Sequence, residues 1–336
     1  MPSRSHRTTL ATVAASAGLS VATVSKVLNG RSDVAPATRS RVQSLLVEHG
    51  YIPRLSHRNQ AAGSATIEVW VDGKLSAYAT EIIKGAIEAG AESEVAVVVT
   101  HLKAGNDTSW VRDLVTAGRR AMITLACEPT AAHLAALSLA QLPVVVVDPM
   151  NPPVTPMTSV GSTNFAGGLS ATQHLLALGH RRIAYLGGPA DAASNQARMQ
   201  GYRAAMETAG VPVPPEYVRT AGFCYPDGVG EAIALLDLPS PPTAVFAVSD
   251  ECAIAAMQVA RNRGLRIPED LSVVGFDDTE IATMTSPQLT TVRQPLREMG
   301  MVALRTALRL ASGEKIESHH IELATELVIR ESSLAA

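Results

Sequence analysis

Aromatic residues are scarce: Phe, Trp and Tyr make up 4% of the 336 residues. Cores must therefore be built mostly from Ala, Val, Leu and Ile, and each aromatic is worth locating. Cysteine is nearly absent. Cys127, Cys224 and Cys252 are widely separated, and such an odd, scattered set fits reduced thiols better than a disulfide framework or a metal site. Long hydrophobic runs are missing as well. The longest are a handful of residues, such as 143–147 (PVVVV), far short of the roughly 18 needed to span a bilayer. The N-terminal MPSRSHRTTL is basic but carries no apolar signal core, so a cytoplasmic location is expected. Hydrophobic residues at 46% and charged residues at 18% describe a folded chain rather than a disordered one. At roughly 150 residues per domain, the length suggests two or three domains.

Charge is unevenly placed. Residues 1–60 hold eight Lys/Arg against two Asp/Glu, while the remainder holds twenty against twenty-nine. A basic head on an acidic body points to a polyanion partner at one end only; a solvated basic face is the plainer alternative. The head reads as three short helices, near 10–17, 21–28 and 38–49, followed by a polar, small-residue linker at 54–65. Beyond it, β-branched runs at 66–72, 94–100, 121–125, 143–147, 182–187, 243–248 and 272–276, with a further strand expected at 217–222, alternate with amphipathic stretches at 79–90, 108–117, 130–139, 165–178, 196–209, 227–237 and 250–263. Such alternation predicts parallel sheets covered by helices. The number of elements favours two doubly wound subdomains over one sheet. Ligands of such sheets bind beyond the carboxyl ends of the strands.

The segment 10–30, LATVAASAGLSVATVSKVLNG, has helix-turn-helix spacing. Ala14 and Ala15 allow close helix approach, Gly18 supplies the turn, and Ser20 caps the second helix. Val13, Leu19, Val24 and Val27 form one apolar face. The second helix of this motif enters the major groove of DNA. With VAPATRSRVQSLLVEHGYIP at 34–53, and LLALGHRRIAYLGGP, RMQGYRAAMETAG, IPEDLSVVGFDD and LTTVRQPL further on, the chain resembles the LacI/GalR family of bacterial transcriptional regulators over about residues 9–332.

That resemblance implies an all-α helix-turn-helix head and a type I periplasmic-binding-protein-like sensor of two doubly wound parallel-sheet subdomains. It implies a head over 1–53 and a hinge over 54–65. One sensor subdomain would take 66–160 with 295–322, the other 161–294 with 323–332. It also implies a homodimer on pseudo-palindromic operator DNA, a small effector in the cleft, and no cofactor or metal. In the head, Val21 and Ala22 would face base edges and touch thymine methyls. Lys26 would reach guanine, Thr23, Ser25 and Asn29 would donate to phosphates or base edges, and Arg39 and Tyr51 would hold the backbone. Thr12 and Ser20 join this set. Two positions depart from the family pattern: Arg54 stands where Asn is usual, and Gln60 where a Leu wedge is expected. A hinge contacting the minor groove through Arg54 and Arg58, but kinking DNA less, is the expectation.

In the sensor, the strand-end rule and the resemblance together nominate Tyr78, Asp148, Asn164, Phe165, Arg198, Phe223, Ser249, Asp250, Asp277 and Gln294 as effector contacts, with Arg198 and Asp277 the strongest matches. Carboxylates accept from adjacent hydroxyls, a guanidinium offers a fork of donors, and aromatic faces stack on sugar rings, so a neutral polyol is the expected ligand. A pentose or a β-linked disaccharide is the narrower expectation. Plainer roles stand beside these: Asp250 as a helix N-cap, Asp148 satisfying loop amides, Phe165 in the core. His180 and Arg181 read as a turn. No GxGxxG after a strand, P-loop, HExxH, CxxC or GxSxG occurs, so an enzyme is not expected. A solute-binding protein without a DNA role is the alternative, and the head speaks against it. The absence of a heptad tail after ELVIRESSLAA makes a tetramerising coiled coil unexpected. The helices near 79–90 and 295–312 are candidate dimer surfaces, although a buried sheet face explains their apolar residues equally well.

Overall fold

The computed structural model describes residues 9–28, 34–49, 65–71, 75–101, 107–127, 129–151 and 157–336. The head forms α1 (Leu10–Ala17), α2 (Val21–Leu28) and α3 (Pro36–Glu48). Thr9 caps α1 by accepting from the Thr12 amide. Gly18 ends it in the left-handed region, at φ 64°, while the Leu19 amide returns to the Ala14 carbonyl. That geometry closes the helix and starts the turn at no steric cost only because residue 18 has no Cβ. Ser20 caps α2 by accepting from the Thr23 amide at 3.1 Å. Val13, Ala14, Ala17, Val24, Val27, Val34, Val42 and Leu46 are buried together, with Leu19 half-buried against them. Ala15, expected at the close approach, is exposed; Ala17 is buried beside Ala14 instead. The third helix begins two residues earlier than expected, because Pro36 is tolerated in a first turn that needs no amide donor.

The remaining elements follow in order: β1 (Ala65–Val71), α4 (Ala77–Glu92), β2 (Val95–His101), α5 (Ser109–Thr116), β3 (Arg119–Leu125), α6 (Ala131–Leu139), β4 (Val144–Val147), β5 (Thr158–Ser162), α7 (Asn164–Ala177), β6 (Ile183–Gly187), α8 (Ala193–Thr208), β7 (Val218–Thr220), α9 (Tyr225–Leu236), β8 (Ala244–Ala247), α10 (Asp250–Asn262), β9 (Ser272–Asp277), α11 (Glu280–Met284), β10 (Thr290–Arg293), α12 (Leu296–Ala311), β11 (His320–Leu323) and β12 (Glu326–Val328). By contacts, α1–α3 group with α5 and α6 in one compact unit, and both sheets with the other helices form the second.

One sheet runs β11-β5-β4-β3-β1-β2 and the other β12-β10-β9-β8-β6-β7. Strands β3, β4, β5 and β11 are parallel, as are β6 to both β7 and β8, β8 to β9, and β9 to β10; β12 pairs antiparallel to β10. Four consecutive valines in β4 and the AVFA of β8 suit strands buried on both faces. On the first sheet, α4 and α12 send Ile82, Ile83, Met299, Ala303 and Leu304 into a core with Ile67, Val69, Ile123 and Val145. A Cβ on Gly85 would stand 1.9 Å from the Arg297 carbonyl, and one on Gly300 2.0 Å from the Ile82 carbonyl, so these helices touch through backbone. On the second sheet, α9 and α10 cover one face, and α7 and α8 the other.

Strands β5, β10, β11 and β12 lie outside the runs expected to be strands. They are short and rich in Ser, Thr and charge, so little in their hydrophobicity marks them. Three chain crossings join the two lobes, each built on one sheet, after β5, after β10 and after β11. The first sheet therefore keeps the chain to Ser162 and takes it back to Leu323, a residue or two beyond the boundaries expected at 160 and 322. The crossings are tied together: Thr325 N donates to Thr163 Oγ1 at 3.0 Å, and the Ser162 hydroxyl donates to Gln294 Oε1 at 2.5 Å.

Candidate functional site

The carboxyl ends of the strands open into a cleft of about 890 Å³ lined from both lobes. Its polar groups sit where the backbone leaves a strand by an unusual path. Asp148, after β4, has φ 48°, Ala126, after β3, 48°, Asp277, at the end of β9, 117°, and Asp278 55°. Non-glycine residues in this region cost about 1–3 kcal/mol each and cluster where function holds them. The path separates the adjacent carboxylates. Asp277 turns into the cleft, where Gln294 Nε2 donates to it at 2.7 Å and Arg198 Nη1 lies 3.9 Å away. Asp278 is held instead by Arg293 Nε at 2.7 Å and by Arg330. The two do not form a pair able to share a proton.

Arg198, on α8, is nearly fully buried and held on three sides. Its Nε donates to Asn164 Oδ1 at 2.7 Å, its Nη1 donates to the Val248 carbonyl at 2.6 Å, and the guanidinium stacks 3.8 Å over the Phe276 ring. Nη2 has no protein acceptor among the described residues and is the donor left for a ligand. The α7–α8 crossing that places this side chain depends on small residues: a Cβ on Gly168 would lie 2.3 Å from the Arg198 carbonyl, and one on Gly201 2.3 Å from that of Phe165.

From the first lobe, the Tyr78 hydroxyl donates to Asp148 Oδ2 at 2.5 Å. Burial, and then the neighbouring carboxylate, push the Tyr78 phenol well above its ordinary range, so it stays a donor. Burial raises Asp148, and the Tyr78 hydrogen bond partly offsets the shift. Burial likewise pushes Asp277 well up, against the pull of Arg198. Two carboxyls short of donors and a guanidinium with one unmet donor face the cleft together, a set of groups that the hydroxyls of a small ligand would complement.

The expected effector residues divide into three groups. Tyr78, Asp148, Arg198, Phe223, Ser249, Asp250 and Asp277 line the cleft. Two of these are already saturated. Ser249, not Asp250, caps α10, accepting from the Cys252 amide at 3.1 Å and donating to the Phe223 carbonyl at 2.7 Å. Asp250 accepts from the Thr279 amide at 2.8 Å, the Thr279 hydroxyl at 2.9 Å and the Thr291 hydroxyl at 2.5 Å. The N-cap reading of Asp250 is therefore corrected by one residue. Asn164, Phe165 and Gln294 are not brought to the cleft wall. Asn164 and Gln294 brace Arg198 and Asp277 from behind, and Phe165 is 46% exposed. Asp148 satisfies the Tyr78 hydroxyl rather than loop amides. Leu75, Met150, Tyr225, Asp227, Glu251 and Ile281 also line the cleft and were not anticipated. Tyr225, Asp227 and Glu251 lie in the first turns of α9 and α10, so extending the strand-end rule by one helical turn would have found them.

In the head, Val21 is 47% exposed, and Ala22 and Lys26 are exposed beside it. Ser25 and Arg39 are half-buried. The Thr23 hydroxyl pairs with that of Ser20 at 2.9 Å, and the Thr12 hydroxyl with that of Thr9 at 3.0 Å. Asn29, Tyr51, Arg54, Arg58 and Gln60 lie outside the described residues. Among the described residues, no cluster of three His, Cys, Asp or Glu side chains is placed to hold a metal, and no single helix is long and apolar enough to cross a membrane.

Comparison with known proteins agrees with this geometry. Residues 9–54 match the model of bacterial regulatory proteins of the lacI family, and residues 172–333 that of a periplasmic binding protein-like domain. The HTH-type transcriptional regulator DegA of Bacillus subtilis (strain 168) is 34% identical over 334 residues, 97% of this chain and 98% of DegA. A solved transcriptional regulator CelR–cellobiose complex superposes with a TM-score of 0.75 at 34% identity, covering 97% of this chain and all (100%) of that one. The lac repressor dimer bound to operator and the anti-inducer ONPF superposes with a TM-score of 0.72 at 28% identity, covering 98% and 99%. With a helix-turn-helix head, two parallel-rich sheets around a shared cleft, and full-length similarity to such regulators, this chain belongs to the LacI family and is a DNA-binding transcriptional regulator, not an enzyme.

Proposed function

We propose that this regulator represses carbohydrate-use genes and that a neutral sugar held between its two lobes sets its affinity for operator DNA. The observation that carries the reading is the cleft's balance of groups. Among the described residues, Asp148, Asp227, Glu251 and Asp277 line it with carboxylate oxygens to spare, and Arg198 is the one basic side chain beside them. Such a wall accepts hydrogen bonds and repels anions, so it suits a ligand rich in hydroxyl donors and disfavours a sugar phosphate or sugar acid. That a related structure holds cellobiose supports the same class.

The protein acts in the cytoplasm as a homodimer, presenting two copies of α2 to a pseudo-palindrome. Val21 and Ala22 touch thymine methyls, Lys26 reaches guanine, and Ser20, Ser25, Arg39 and Thr12 contact or orient toward phosphates. Sugar and operator favour different arrangements of the lobes, so each weakens the other by the same factor.

Fluorescence anisotropy of labelled DNA from the protein's own upstream region, with and without a sugar panel and at two salt concentrations, tests this. The expected result is competitor-resistant binding that falls steeply with salt and is released by one sugar. Specific binding that no sugar alters, together with calorimetry that detects no sugar on the protein, would remove the sugar reading.

A further inference from the structure

The ligand cleft has two chemically distinct zones. Its inner end is polar and buried, with Asp148, Arg198 and Asp277 at 9%, 2% and 6% exposure. Its mouth is apolar and open: Leu75, at 62%, and Tyr225, at 37%, are large hydrophobic side chains left to solvent, and both line the cleft. They come from opposite lobes, Leu75 just before α4 and Tyr225 at the start of α9. Of the large hydrophobic side chains left exposed among the described residues, these two share the cleft, where one occupant would cover both. Two carboxylates accompany Tyr225. Glu251 Oε2 accepts from the Tyr225 amide at 3.0 Å, and Asp227 Oδ2 accepts from the Cys224 amide at 3.3 Å. The other oxygen of each has no protein donor among the described residues.

We propose that the effector is a disaccharide. One ring occupies the buried end against Asp148, Arg198 and Asp277. The second lies at the mouth, its C–H faces covered by Leu75 and Tyr225 and its hydroxyls donating to Asp227 and Glu251. A cleft of about 890 Å³ is at the upper end of the roughly 300–1,000 Å³ usual for small-molecule sites, and one six-membered ring at the buried end leaves the mouth unfilled. A sugar ring is apolar on its faces and a donor at its edges, which matches an aromatic and an aliphatic side chain set beside two free carboxylate oxygens. The same carboxylates exclude a second unit that is anionic. The inference rests on the sugar reading above and narrows it to two-ring ligands.

Isothermal calorimetry on the full-length protein tests it, with cellobiose, xylobiose, lactose and maltose each set against its component monosaccharides. One disaccharide binds at least about tenfold more tightly than either of its parts, the equivalent of about 1.4 kcal/mol. Tyr225→Ala and Leu75→Ser, on opposite lobes, each reduce that ratio, while Tyr225→Phe, which keeps the ring, preserves it. A monosaccharide binding as tightly as every disaccharide, or a ratio untouched by both substitutions, overturns the two-ring proposal and leaves the sugar reading standing. A protein that still holds its operator but binds no sugar overturns both.

Discussion

The two lobes supply the cleft unequally. The second lobe presents Arg198, Asp250 and Asp277 already fixed by its own hydrogen bonds: three donors on Asp250, two acceptors and a ring on Arg198, and the Gln294 amide on Asp277. The first lobe presents Tyr78 and Asp148, joined by one hydrogen bond to each other. A side chain held by several partners presents a preformed surface, whereas one held by a single partner can adjust to what arrives. The second lobe is built as the floor of the site and the first as its adaptable cover. Gln294 links them, since its Oε1 accepts from Ser162 at the end of β5 while its Nε2 donates to Asp277.

The largest expected effect is on the floor. Arg198→Ala removes a ligand donor and leaves the buried Asn164 Oδ1 and Val248 carbonyl without their donor, at about 1–3 kcal/mol each. Urea unfolding should show the destabilisation, and calorimetry the loss of sugar binding. The matching change in the cover, Asp148→Asn, should weaken sugar binding by about 1–3 kcal/mol through a lost acceptor. It should leave stability unchanged or slightly higher, because burial already disfavours the Asp148 charge. Equal destabilisation by the two substitutions would end the distinction between floor and cover.

Gly168→Ala and Gly85→Ala sharpen the comparison. Each places a methyl against a facing helix backbone, 2.3 Å from the Arg198 carbonyl and 1.9 Å from the Arg297 carbonyl, and overpacking of this kind costs about 1–3 kcal/mol. The melting temperatures should fall together. Only Gly168→Ala should also weaken the sugar beyond that common effect, because α8 carries Arg198.

The smallest expected effect is a pH dependence confined to the second lobe. His180 bridges Thr243, Ser272 and the Leu334 carbonyl, and His174 meets Ser333, so the two imidazoles clamp the chain's last residues beneath the sheet. Burial lowers both pKa values. A depressed folded-state pKa means that their contribution is intact above the ordinary imidazole value of about 6.5 and is lost as pH falls below it. Hydrogen exchange between pH 7.5 and 5.5 should show protection declining in β9 and β10 before it declines in β3 and β4. A uniform loss across both sheets would place the sensitivity elsewhere.

Much of the architecture was legible. Continuous valine or alanine–valine runs at Val144–Val147 and Ala244–Ala247 mark strands buried on both faces, and their ends point to Asp148, Ser249 and Asp250. Gly18 and Ser20 mark the turn and the cap of the head. The strands that close each sheet were not legible as strands, because TSVGS, TTVR, HIEL and ELV are too short and polar to signal themselves and pair only with residues far away in the chain. Within the site, residue type did not separate contact from brace. Asn164 and Gln294 have the same chemistry as a ligand contact, and their role depends on Arg198 and Asp277 arriving in front of them.

The sequence by itself determined the local choices: helix starts and stops, strand-forming runs, a basic head and the residue types gathered at strand ends. These follow from backbone sterics, side-chain periodicity and capping over a few residues, and they need no distant partner. Tertiary structure alone decided which polar groups remain unmet. Asp250 is saturated by Thr279 and Thr291, 29 and 41 residues away, while Asp148 and Asp277 are left facing the cleft. Hydrogen-bond satisfaction in a buried site belongs to the whole fold, so the ligand's chemistry became readable only once every nearer partner had been placed.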